Sequence, residues 1–423
     1  MKISSPIRVL QIFGVLSNIG GAEKWILDLL RMRDSRVRFD FLLSLDEGFL
    51  VSEIRRLGST VYLVPFSKSP LPWAWSNPYL SGVRKILRNN KYDVIHVHQF
   101  DLSGEILRIA ALENVPVRVM SVHATQYDNP RFYRRFVHRV YGRPQIFRYA
   151  TDILPCSQTV AESFTPSAPK FQTAKTQILY TGIDPAVFEE ANRRRNKISQ
   201  QIRKELGLPD HATILGHIGR FTHQKNHRFL LELLEFLQDT NDTNNTKMTE
   251  STNTNTNTNI STKTNSKIRK SDSWYAVLVG QGENWEVIRR DIQNKKIRDR
   301  VILTGLRLDV PDLFCSLFDV FLLPSFYEGL PIVAMEALAS GLGVVYSDRI
   351  SHELDDFFPQ RIRRVSLEAP KTHWIEAIHE MIAARCETSL ALTELATTPF
   401  TLQSSLEHLI SIYTSHRNSL FYF

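Results

Sequence analysis

Two glutamates, Glu328 and Glu336, are the side chains of this sequence best suited to bind a ligand. Glu328 precedes Pro331, a residue that can open a helix, and Glu336 lies eight positions further on inside an apolar run. A carboxylate among such neighbours is costly to bury without a partner, so a ligand hydroxyl or amide is the expected partner. Because a helix N-terminus favours anions, the segment predicts a site for a sugar nucleotide, which is both polyhydroxylated and phosphorylated.

Arg220 and Lys225 are the cations that could hold the phosphates of such a ligand. They follow the predicted strand Thr213–Gly219, and ligands of open α/β sheets bind at the carboxyl ends of strands. Two fixed positive charges suit a diphosphate and need no metal ion. A solvated basic loop would explain the same residues, but the presence of Glu328 and Glu336 favours the binding role.

Glycines supply two further candidate sites. Gly20 and Gly21 lie between the first predicted strand, Arg8–Phe13, and a predicted helix at Lys24–Met32, where backbone could approach a phosphate. A Gly-Gly pair is a weak signal, and the Gly-x-Gly-x-x-Gly pattern of dinucleotide sites is absent here. Gly282 follows another predicted strand, where flexible backbone could approach a nucleotide base or ribose; a simple strand–helix turn explains it nearly as well.

Three histidines lie on neighbouring predicted strands. His96 and His98 alternate along Val94–His98, and His123 ends the following strand. Since the carboxyl ends of strands line the expected ligand crevice, we interpret His123 as a candidate for contact with a substrate hydroxyl or phosphate. For His96, and also for His98, packing is the favoured interpretation.

The elements that must position these residues follow a βαβ rhythm. Short apolar runs alternate with helical patterns, which predicts parallel sheets. Because 423 residues exceed one ordinary core, we predict two doubly wound α/β domains with a cleft between them. The predicted domains span residues 1–190 and 191–400, with a basic segment at Asn192–Lys204 between them and a terminal helix at 401–423.

The strand predictions follow from these apolar runs. In order along the chain they are Arg8–Phe13, Phe39–Ser44, Val61–Phe66, Val94–His98, Val117–His123, Ile153–Cys156, Ile178–Gly182, Thr213–Gly219, Ala276–Gly280, Val301–Gly305, Val320–Pro324 and Val344–Ser347. Residues 240–273 break the rhythm, because this Asn/Thr-rich run has little apolar content to offset the entropy of ordering. We predict a disordered insertion within the second domain; a tether or partner-binding loop is the functional alternative.

Composition limits the class of protein. No apolar run approaches the ~20 residues of a membrane span, and the N-terminal residues lack a signal-peptide core. Three widely spaced cysteines indicate neither a disulfide framework nor a metal site, so we expect a cytoplasmic chain without a metal ion. The net charge of +8 suits anionic partners, but no nucleic-acid-binding motif accompanies it, and we predict no nucleic-acid partner.

A basic amphipathic helix is predicted at Arg131–Gly142. Such a helix could lie on an anionic membrane surface, at the inner face of the cell membrane. An apolar face packed on the sheet, with the arginines in water, is an equal alternative. The cationic residues are Arg131, Arg134, Arg135 and Arg139, and the apolar ones are Phe132, Tyr133, Phe136, Val137, Val140 and Tyr141.

Glu328 and Glu336, with Gly329-Leu330-Pro331 following the first, resemble the signature of the family 4 retaining glycosyltransferases. Three further segments resemble motifs of the same family: Gly219-Arg220 with Lys225-Asn226, Gly20-Gly21-Ala22-Glu23, and Tyr180-Thr181-Gly182-Ile183-Asp184. The resemblance covers nearly the whole chain apart from the insertion, and it is strongest to bacterial exopolysaccharide and capsule transferases. It implies the GT-B fold, two facing Rossmann-like domains.

The resemblance also implies an activity and its donor site. The expected reaction is a metal-independent, retaining transfer of a hexose from a nucleotide sugar, UDP- or GDP-linked, to a glycan or lipid-linked acceptor, with no bound cofactor. Arg220 and Lys225 would hold the diphosphate and stabilise it as it leaves. Glu336 would bind the ribose hydroxyls, and Glu328 the donor sugar.

For the remaining matched residues the implied roles are contacts with the donor. The backbone of Gly329 and Leu330 would line the sugar pocket, and Gly20 and Gly21 would contact phosphate from the opposite domain. His123 would contact the sugar near the reacting carbon.

One departure from the family leaves the donor sugar open. Many relatives carry a glycine pair after Ser347-Asp348, where this chain has Arg349-Ile350-Ser351-His352-Glu353. That difference motivates an alternative of another class, a catalytically silent sugar-nucleotide- or glycan-binding partner of another transferase. A sugar-nucleotide epimerase is a third hypothesis, for which we can place no acid or base residues.

Overall fold

The structure is a computed structural model that divides the chain into two compact units. The first unit comprises residues 1–184 and 399–423, and the second comprises residues 185–398. The described residues are 5–14, 16, 20–45, 49–66, 77–99, 102–124, 136–164, 175–251 and 273–415, with the backbone alone described for residue 49 and for 241–251.

The first unit is built on a parallel sheet of doubly wound topology. Its strands are β1 (Ile7–Ile12), β2 (Val37–Leu43), β3 (Val61–Leu63), β4 (Val94–Val97), β5 (Val117–Val122), β6 (Asp152–Pro155) and β7 (Lys175–Thr176). They pair in the order β3-β2-β1-β4-β5-β6-β7. The order reverses between β1 and β4, so ligands are expected at the carboxyl ends of these two strands.

The helices of the first unit connect these strands. They are α1 (Gly21–Arg31), α2 (Phe49–Arg56), α3 (Pro78–Asn89), α4 (Ser103–Leu112), a π-helix at His138–Gly142 that continues into α5 (Arg143–Tyr149), and α6 (Gln158–Phe164). The start of α3 shows how sequence sets a boundary. Asn77 accepts a hydrogen bond from Tyr79 N at 3.0 Å, and Pro78 supplies the fixed φ of the first turn.

The C-terminal helix, Leu402–Ser415, belongs to the first unit. Its apolar spacing is the one predicted, and Leu406, Leu409 and Tyr413 are buried in the same core as Trp25 of α1. Chain segments more than 350 residues apart therefore form one hydrophobic core.

The second unit repeats the doubly wound topology. Its strands are β8 (Thr213–Ile218), β9 (Trp274–Val279), β10 (Val301–Gly305), β11 (Val320–Leu323), β12 (Gly343–Ser347) and β13 (Ile362–Val365), all parallel, in the order β10-β9-β8-β11-β12-β13. The reversal falls between β8 and β11. Loops that follow these two strands therefore form the expected ligand site of this unit.

The helices of the second unit flank this sheet. They are α7 (Pro185–Arg193), α8 (Arg195–Glu205), α9 (His227–Ser251), α10 (Trp285–Gln293), α11 (Val310–Ser316), α12 (Ile332–Ala339), α13 (Glu353–Phe357), α14 (Lys371–Ala383) and α15 (Thr388–Ala396). None of the helices within the described ranges is both long enough and apolar enough to cross a bilayer.

The predicted fold class, two doubly wound α/β domains, is confirmed, and most strands lie within a few residues of their predicted positions. The strand predicted at Ile178–Gly182 is wrong, because β7 ends at Thr176. Strand β13 was not predicted, since Arg363 and Arg364 interrupt its apolar pattern; it is an edge strand that pairs with β12 alone. The basic segment at Asn192–Lys204 is helical, in α7 and α8.

The Asn/Thr-rich segment differs from its prediction at one end. Helix α9 continues to Ser251, so residues 240–251 are helical instead of disordered. The amphipathic turns before this point nucleate the helix, and no glycine or proline follows to stop its extension. The rest of the predicted insertion, residues 252–272, lies outside the described residues.

Gly182 joins the two chain segments of the first unit. A Cβ on Gly182 would lie 2.1 Å from the carbonyl oxygen of Thr401, so only glycine allows this approach. Gly182 N donates to Ser405 Oγ at 2.7 Å, and Ile183 N donates to Phe400 O at 2.9 Å. The Tyr180–Asp184 motif thus fixes the start of the C-terminal helix.

Gly182→Ala is expected to destabilise the first unit by about 1–3 kcal/mol, because the methyl group forces the two backbones apart. Thermal unfolding measures the change. Gly142→Ala is the matched control, since its Cβ would meet only ordinary contacts with His138 at 3.5 Å. Equal unfolding temperatures for the two variants would contradict the assignment of Gly182.

Candidate active site

The loop after β8 brings Lys225 back over the end of its own strand. A Cβ on Gly219 would lie 3.1 Å from Lys225 Cδ and Cε, so the glycine makes room for the lysine stem. Residues His223–Lys225 form one 3-10 turn, and Asn226 reverses the chain at φ 54° before α9 begins. The Lys225 side chain is therefore only 13% exposed, although it lies in a surface loop.

Three hydrogen-bond donors hold the carboxylate of Glu328. Its Oε1 accepts from Lys225 Nζ at 2.6 Å and from Ser325 Oγ at 2.8 Å, and its Oε2 accepts from Gln224 Nε2 at 3.1 Å. A desolvated ion pair is strong when such additional hydrogen bonds satisfy its charges. Each carboxylate oxygen can accept two hydrogen bonds, so Oε2 keeps capacity for one more donor, such as a sugar hydroxyl.

Backbone contacts lock the loops after β8 and β11 together. Gln224 O accepts from Phe326 N at 2.8 Å, and Gln224 Nε2 also donates to Tyr327 O at 2.9 Å. The rings of His223 and Phe326 stack with centroids 4.7 Å apart. The end of β12 joins them, because Ser347 donates to the carbonyl of Ser325.

Arg220 differs from Lys225 in being exposed. It lies in the same loop, just after β8, and forms an ion pair with none of the described residues. The structure therefore gives the two predicted cations different surroundings. Lys225 is committed to Glu328, whereas the guanidinium of Arg220 is available to an anion.

Glu336 lies inside α12, whose first residue follows Pro331 at the N-cap position. Its side chain is buried among apolar neighbours, as the sequence predicts, and the residue is 5% exposed. Gly329 and Leu330, which lead into this helix, are also buried. All four predicted donor-site residues of this segment thus belong to the loop after β11 and the helix that follows it.

Gly282 packs against the loop that carries Arg220. A Cβ on Gly282 would lie 2.6 Å from Phe221 O, and Asn284 N donates to the same oxygen at 2.9 Å. Gly280, at φ 135°, similarly approaches Gly219 O. Close backbone packing explains these glycines, and a contact of Gly282 with a nucleotide stays a prediction.

In the first unit, Gly20 and Gly21 lie at the start of α1, after β1. Gly20 is the N-cap residue in an extended conformation, and its carbonyl accepts from Lys24 N at 3.0 Å. Gly21 is the first helical residue and is exposed. The first backbone N–H groups of a helix are the ones that can bind a phosphate.

His123 follows β5 and is the half-buried end of a chain of otherwise buried polar side chains. Its Nε2 lies 3.0 Å from His98 Nδ1, and His98 Nε2 lies 2.7 Å from Gln11 Oε1. Burial lowers the pKa of His123 to about 4 and lowers the pKa of His98 well below its usual value. Both imidazoles are therefore neutral near pH 7.

His96 lies deeper, as its packing interpretation predicts. Its ring is fully buried between Tyr413 OH and Ser121 Oγ, each 2.7 Å from a ring nitrogen. Gln11 Nε2 lies 3.5 Å from the same tyrosine hydroxyl, which links this pair to His98.

Sequence reasoning missed three of the residues that hold the candidate site, and also Tyr413, which lies behind the site against His96. Gln224 and Ser325 flank named residues and carry no signal of their own. Gln11 is a polar residue within the apolar strand β1, which could have marked it, whereas nothing in the sequence connects Tyr413 to His96.

The predicted membrane helix is described only in part. Arg131, Arg134 and Arg135 lie outside the described residues, and Arg139 is exposed within the π-helix. Phe136 and Val140 are 56% and 54% exposed, so these two apolar side chains do not pack on the sheet.

Tyr141, in contrast, belongs to the packed side of this segment. Its hydroxyl donates to Glu105 Oε1 at 2.5 Å. The π-helix thus presents some apolar residues to the protein and others to solvent.

Comparisons with known proteins agree with the two-unit fold. A family model described as Glycosyltransferase Family 4 matches residues 19–187, and one described as Glycosyl transferases group 1 matches residues 252–380. The chain is 28% identical to the putative glycosyltransferase EpsF of Bacillus subtilis, over 97% of each chain. It is 24% identical to the capsular polysaccharide biosynthesis glycosyltransferase CapH of Staphylococcus aureus, over 97% of this chain and 99% of CapH.

A solved structure shares the fold. The Anabaena protein HepE, in complex with UDP and glucose, superposes with a TM-score of 0.69 at 15% identity, over 97% of this chain and 100% of HepE. The two parallel sheets and this likeness define an α/β protein of the GT-B fold. The chain is therefore a glycosyltransferase, with a domain of Glycosyltransferase Family 4 in its first unit and a domain of Glycosyl transferases group 1 in its second unit.

The Lys225–Glu328 pair gives a stability prediction. Lys225→Met and Glu328→Gln should each destabilise the second unit by about 3–5 kcal/mol, because each leaves a buried partner uncompensated. The double variant should lose clearly less than the sum of the two single losses. Urea unfolding measures these free energies.

The exposed pair Lys296–Asp239 is the control, with side chains 80% and 59% exposed and a separation of 3.4 Å. The corresponding cycle of Lys296→Met and Asp239→Asn should show a coupling of about 0–1 kcal/mol. Additive losses at Lys225 and Glu328 would show that the ion pair is energetically unimportant.

Proposed function

We propose that this glycosyltransferase moves a hexose from a UDP-sugar, with retention of the anomeric configuration, to a glycan or lipid-linked acceptor in surface polysaccharide synthesis. The observation that carries the proposal is the site after β8 and β11. There the pair of Lys225 with Glu328 lies in the same loop system as the exposed cation Arg220. A diphosphate and a sugar are the ligand parts that such a site suits.

The donor diphosphate is proposed to bind Arg220 and Lys225. An ammonium group has three N–H donors, and Lys225 uses one of them on Glu328. The others can reach a phosphate oxygen while Glu328 Oε2 accepts from a sugar hydroxyl. The UDP bound to HepE supports UDP over GDP as the nucleotide.

Electrostatic stabilisation of the leaving group is the main catalytic effect that we propose. As the glycosidic bond breaks, negative charge develops on the diphosphate and positive charge on the anomeric carbon. Cations fixed in place stabilise the departing charge without reorganisation, and they can take the place of a metal ion. Retention would follow from attack of the acceptor on the face that the leaving group vacates.

In the proposed reaction His123 contacts a sugar hydroxyl near the reacting carbon, and Glu336 binds the ribose. Both residues come from positions that match the family pattern, and both are held at the carboxyl side of strands or in the following helix. The comparisons give no support to a catalytically silent partner. The name of CapH supports a role in polysaccharide synthesis.

A lipid-linked acceptor would require contact with a membrane, and residues 136–140, at the start of the π-helix, offer a surface for it. Phe136 and Val140 are four positions apart and exposed, and Arg139 lies between them in sequence. Apolar side chains beside a cation suit an anionic lipid surface. We infer peripheral attachment to the inner face of the cell membrane.

Nucleotide binding tests the donor site. UDP at about 100 times its dissociation constant should stabilise the chain by about 2.7 kcal/mol, seen as a higher unfolding temperature, whereas ADP should not. Arg220→Gln should weaken UDP binding by about tenfold or more, which corresponds to about 1.4 kcal/mol. Arg289→Gln, at an exposed arginine of α10, is the control and should bind UDP like the wild type.

Analysis of the product then tests the proposed reaction. With the matching UDP-sugar and an acceptor, NMR of the product should show the anomeric configuration of the donor, and EDTA should leave the rate unchanged. A stabilisation by GDP alone, an inverted product or loss of activity in EDTA would each contradict the corresponding part of the proposal.

Vesicle sedimentation tests the membrane surface. The chain should bind vesicles of anionic lipid at low salt and less at high salt, because screening weakens the charge attraction. The double variant Phe136→Ser, Val140→Ser should bind more weakly, whereas Leu390→Ser, at a residue 52% exposed in the second unit, should bind normally. Full binding by the Phe136/Val140 variant would exclude this surface.

A further inference from the structure

A continuous line of hydrogen bonds runs through the first unit from β5 to the C-terminal helix. From His123 Nε2 it passes to His98 Nδ1 at 3.0 Å, and from His98 Nε2 to Gln11 Oε1 at 2.7 Å. It continues from Gln11 Nε2 to Tyr413 OH at 3.5 Å and from that hydroxyl to His96 Nδ1 at 2.7 Å. The strands β1, β4 and β5 and the C-terminal helix each contribute to it.

The direction of each hydrogen bond can be worked out from the group that cannot donate. Gln11 Oε1 is an amide oxygen, so His98 Nε2 must carry the proton and donate to it. His98 is neutral because its ring is buried, so its Nδ1 has no proton and accepts. The proton in the 3.0 Å contact therefore belongs to His123 Nε2.

The other half of the line agrees with this direction. Gln11 Nε2 donates to Tyr413 OH, which leaves the hydroxyl proton for His96 Nδ1. Burial raises the pKa of Tyr413, so this proton stays in place. His96 Nε2 then donates to Ser121 Oγ. In each hydrogen bond of this line, one group therefore donates a proton and the other accepts it.

We propose that Gln11 and His98 are positioning residues that hold His123 in the tautomer with its proton on Nε2 and a lone pair on Nδ1. The proposal rests on the function proposed above for His123. Nδ1 makes no hydrogen bond with any described residue, so it is the atom available to a substrate.

This tautomer restricts what His123 can bind. A neutral imidazole with a lone pair on Nδ1 accepts a hydrogen bond from a hydroxyl group and has no proton to offer a phosphate oxygen. The ligand of His123 is therefore a sugar hydroxyl, of the donor or of the acceptor. Further restraint comes from ring contacts, because Phe13 stacks on His98 with centroids 4.2 Å apart and planes 6° apart.

The tautomer can be read directly by NMR of the full chain labelled with 15N-histidine. Long-range 1H–15N spectra distinguish a protonated from an unprotonated ring nitrogen, and the His123→Asn spectrum identifies the signals of His123 by their loss. In the wild type, Nδ1 of His123 should be unprotonated and Nε2 protonated at pH 7. A protonated Nδ1 would overturn the proposal.

Variants at Gln11 test whether this residue sets the tautomer of His123. Gln11→Met removes the acceptor that fixes His98, so His123 should become a mixture of both tautomers. Gln11→Glu keeps an acceptor oxygen for His98 Nε2, so in this variant His123 should keep the wild-type tautomer. Tyr413→Phe is the control, since it breaks the line beyond Gln11 and leaves the contact of Gln11 with His98 intact.

Kinetics with the matching donor supply a second readout. Gln11→Met should lower kcat by up to about 100-fold through misplacement of His123, with KM for the donor unchanged. Gln11→Glu should recover most of this loss, and Tyr413→Phe should retain wild-type turnover.

The two proposals fail in different ways. If the wild type transfers no sugar from any UDP-sugar, the proposed function fails, while the spectra still decide the tautomer and its cause. If Gln11→Met keeps a single Nε2-protonated tautomer, or if Tyr413→Phe changes it as much as Gln11→Met does, the positioning role of Gln11 is wrong, whatever the activity.

Discussion

The ion pair between Lys225 and Glu328 is the interaction on which the second unit's site depends. Neither group is fully exposed, so each would carry a large desolvation cost alone. Ser325 and Gln224 also donate hydrogen bonds to the carboxylate of Glu328, and the backbone carbonyl of Gln224 accepts a hydrogen bond from Phe326 N. The loops after β8 and β11 can therefore adopt this conformation only together.

That constraint explains why other residues take the types they have. Gly219 is small because the lysine stem lies against it, and Gly282 is small because its own loop packs on Phe221. Arg220, one residue beyond the glycine, is left in solvent with no described acidic partner. A buried pair that sets the shape of the site and an exposed cation that is available to a ligand thus arise from one short loop.

The fold and the candidate residues could be predicted from sequence to different extents. Buried parallel strands have nearly continuous apolar sequences, so most of both sheets was predictable, and β13 was missed because Arg363 and Arg364 interrupt its pattern. The spacing of Glu328 and Glu336 pointed to the candidate site that follows β11. The commitment of Lys225 to Glu328 was not predictable, because residues 103 positions apart meet only through the pairing of β8 with β11.

The same limit applies to the first unit. The pattern of His96, His98 and His123 on adjacent strands was visible, but the favoured packing role of His98 did not include its contact with His123. That contact requires the parallel register of β4 and β5, which places His96 beside Val119. Tyr413 reaches His96 only because the C-terminal helix returns to this unit.

A crystal structure of the complex with UDP and the matching sugar would test the central claim most directly. The measurement is the distance from Lys225 Nζ to Glu328 Oε1 together with the position of the diphosphate. We predict that the ion pair persists, with phosphate oxygens on Arg220 and on the remaining N–H groups of Lys225, and with a sugar hydroxyl on Glu328 Oε2. A broken pair, or a nucleotide bound away from both cations, would contradict the account.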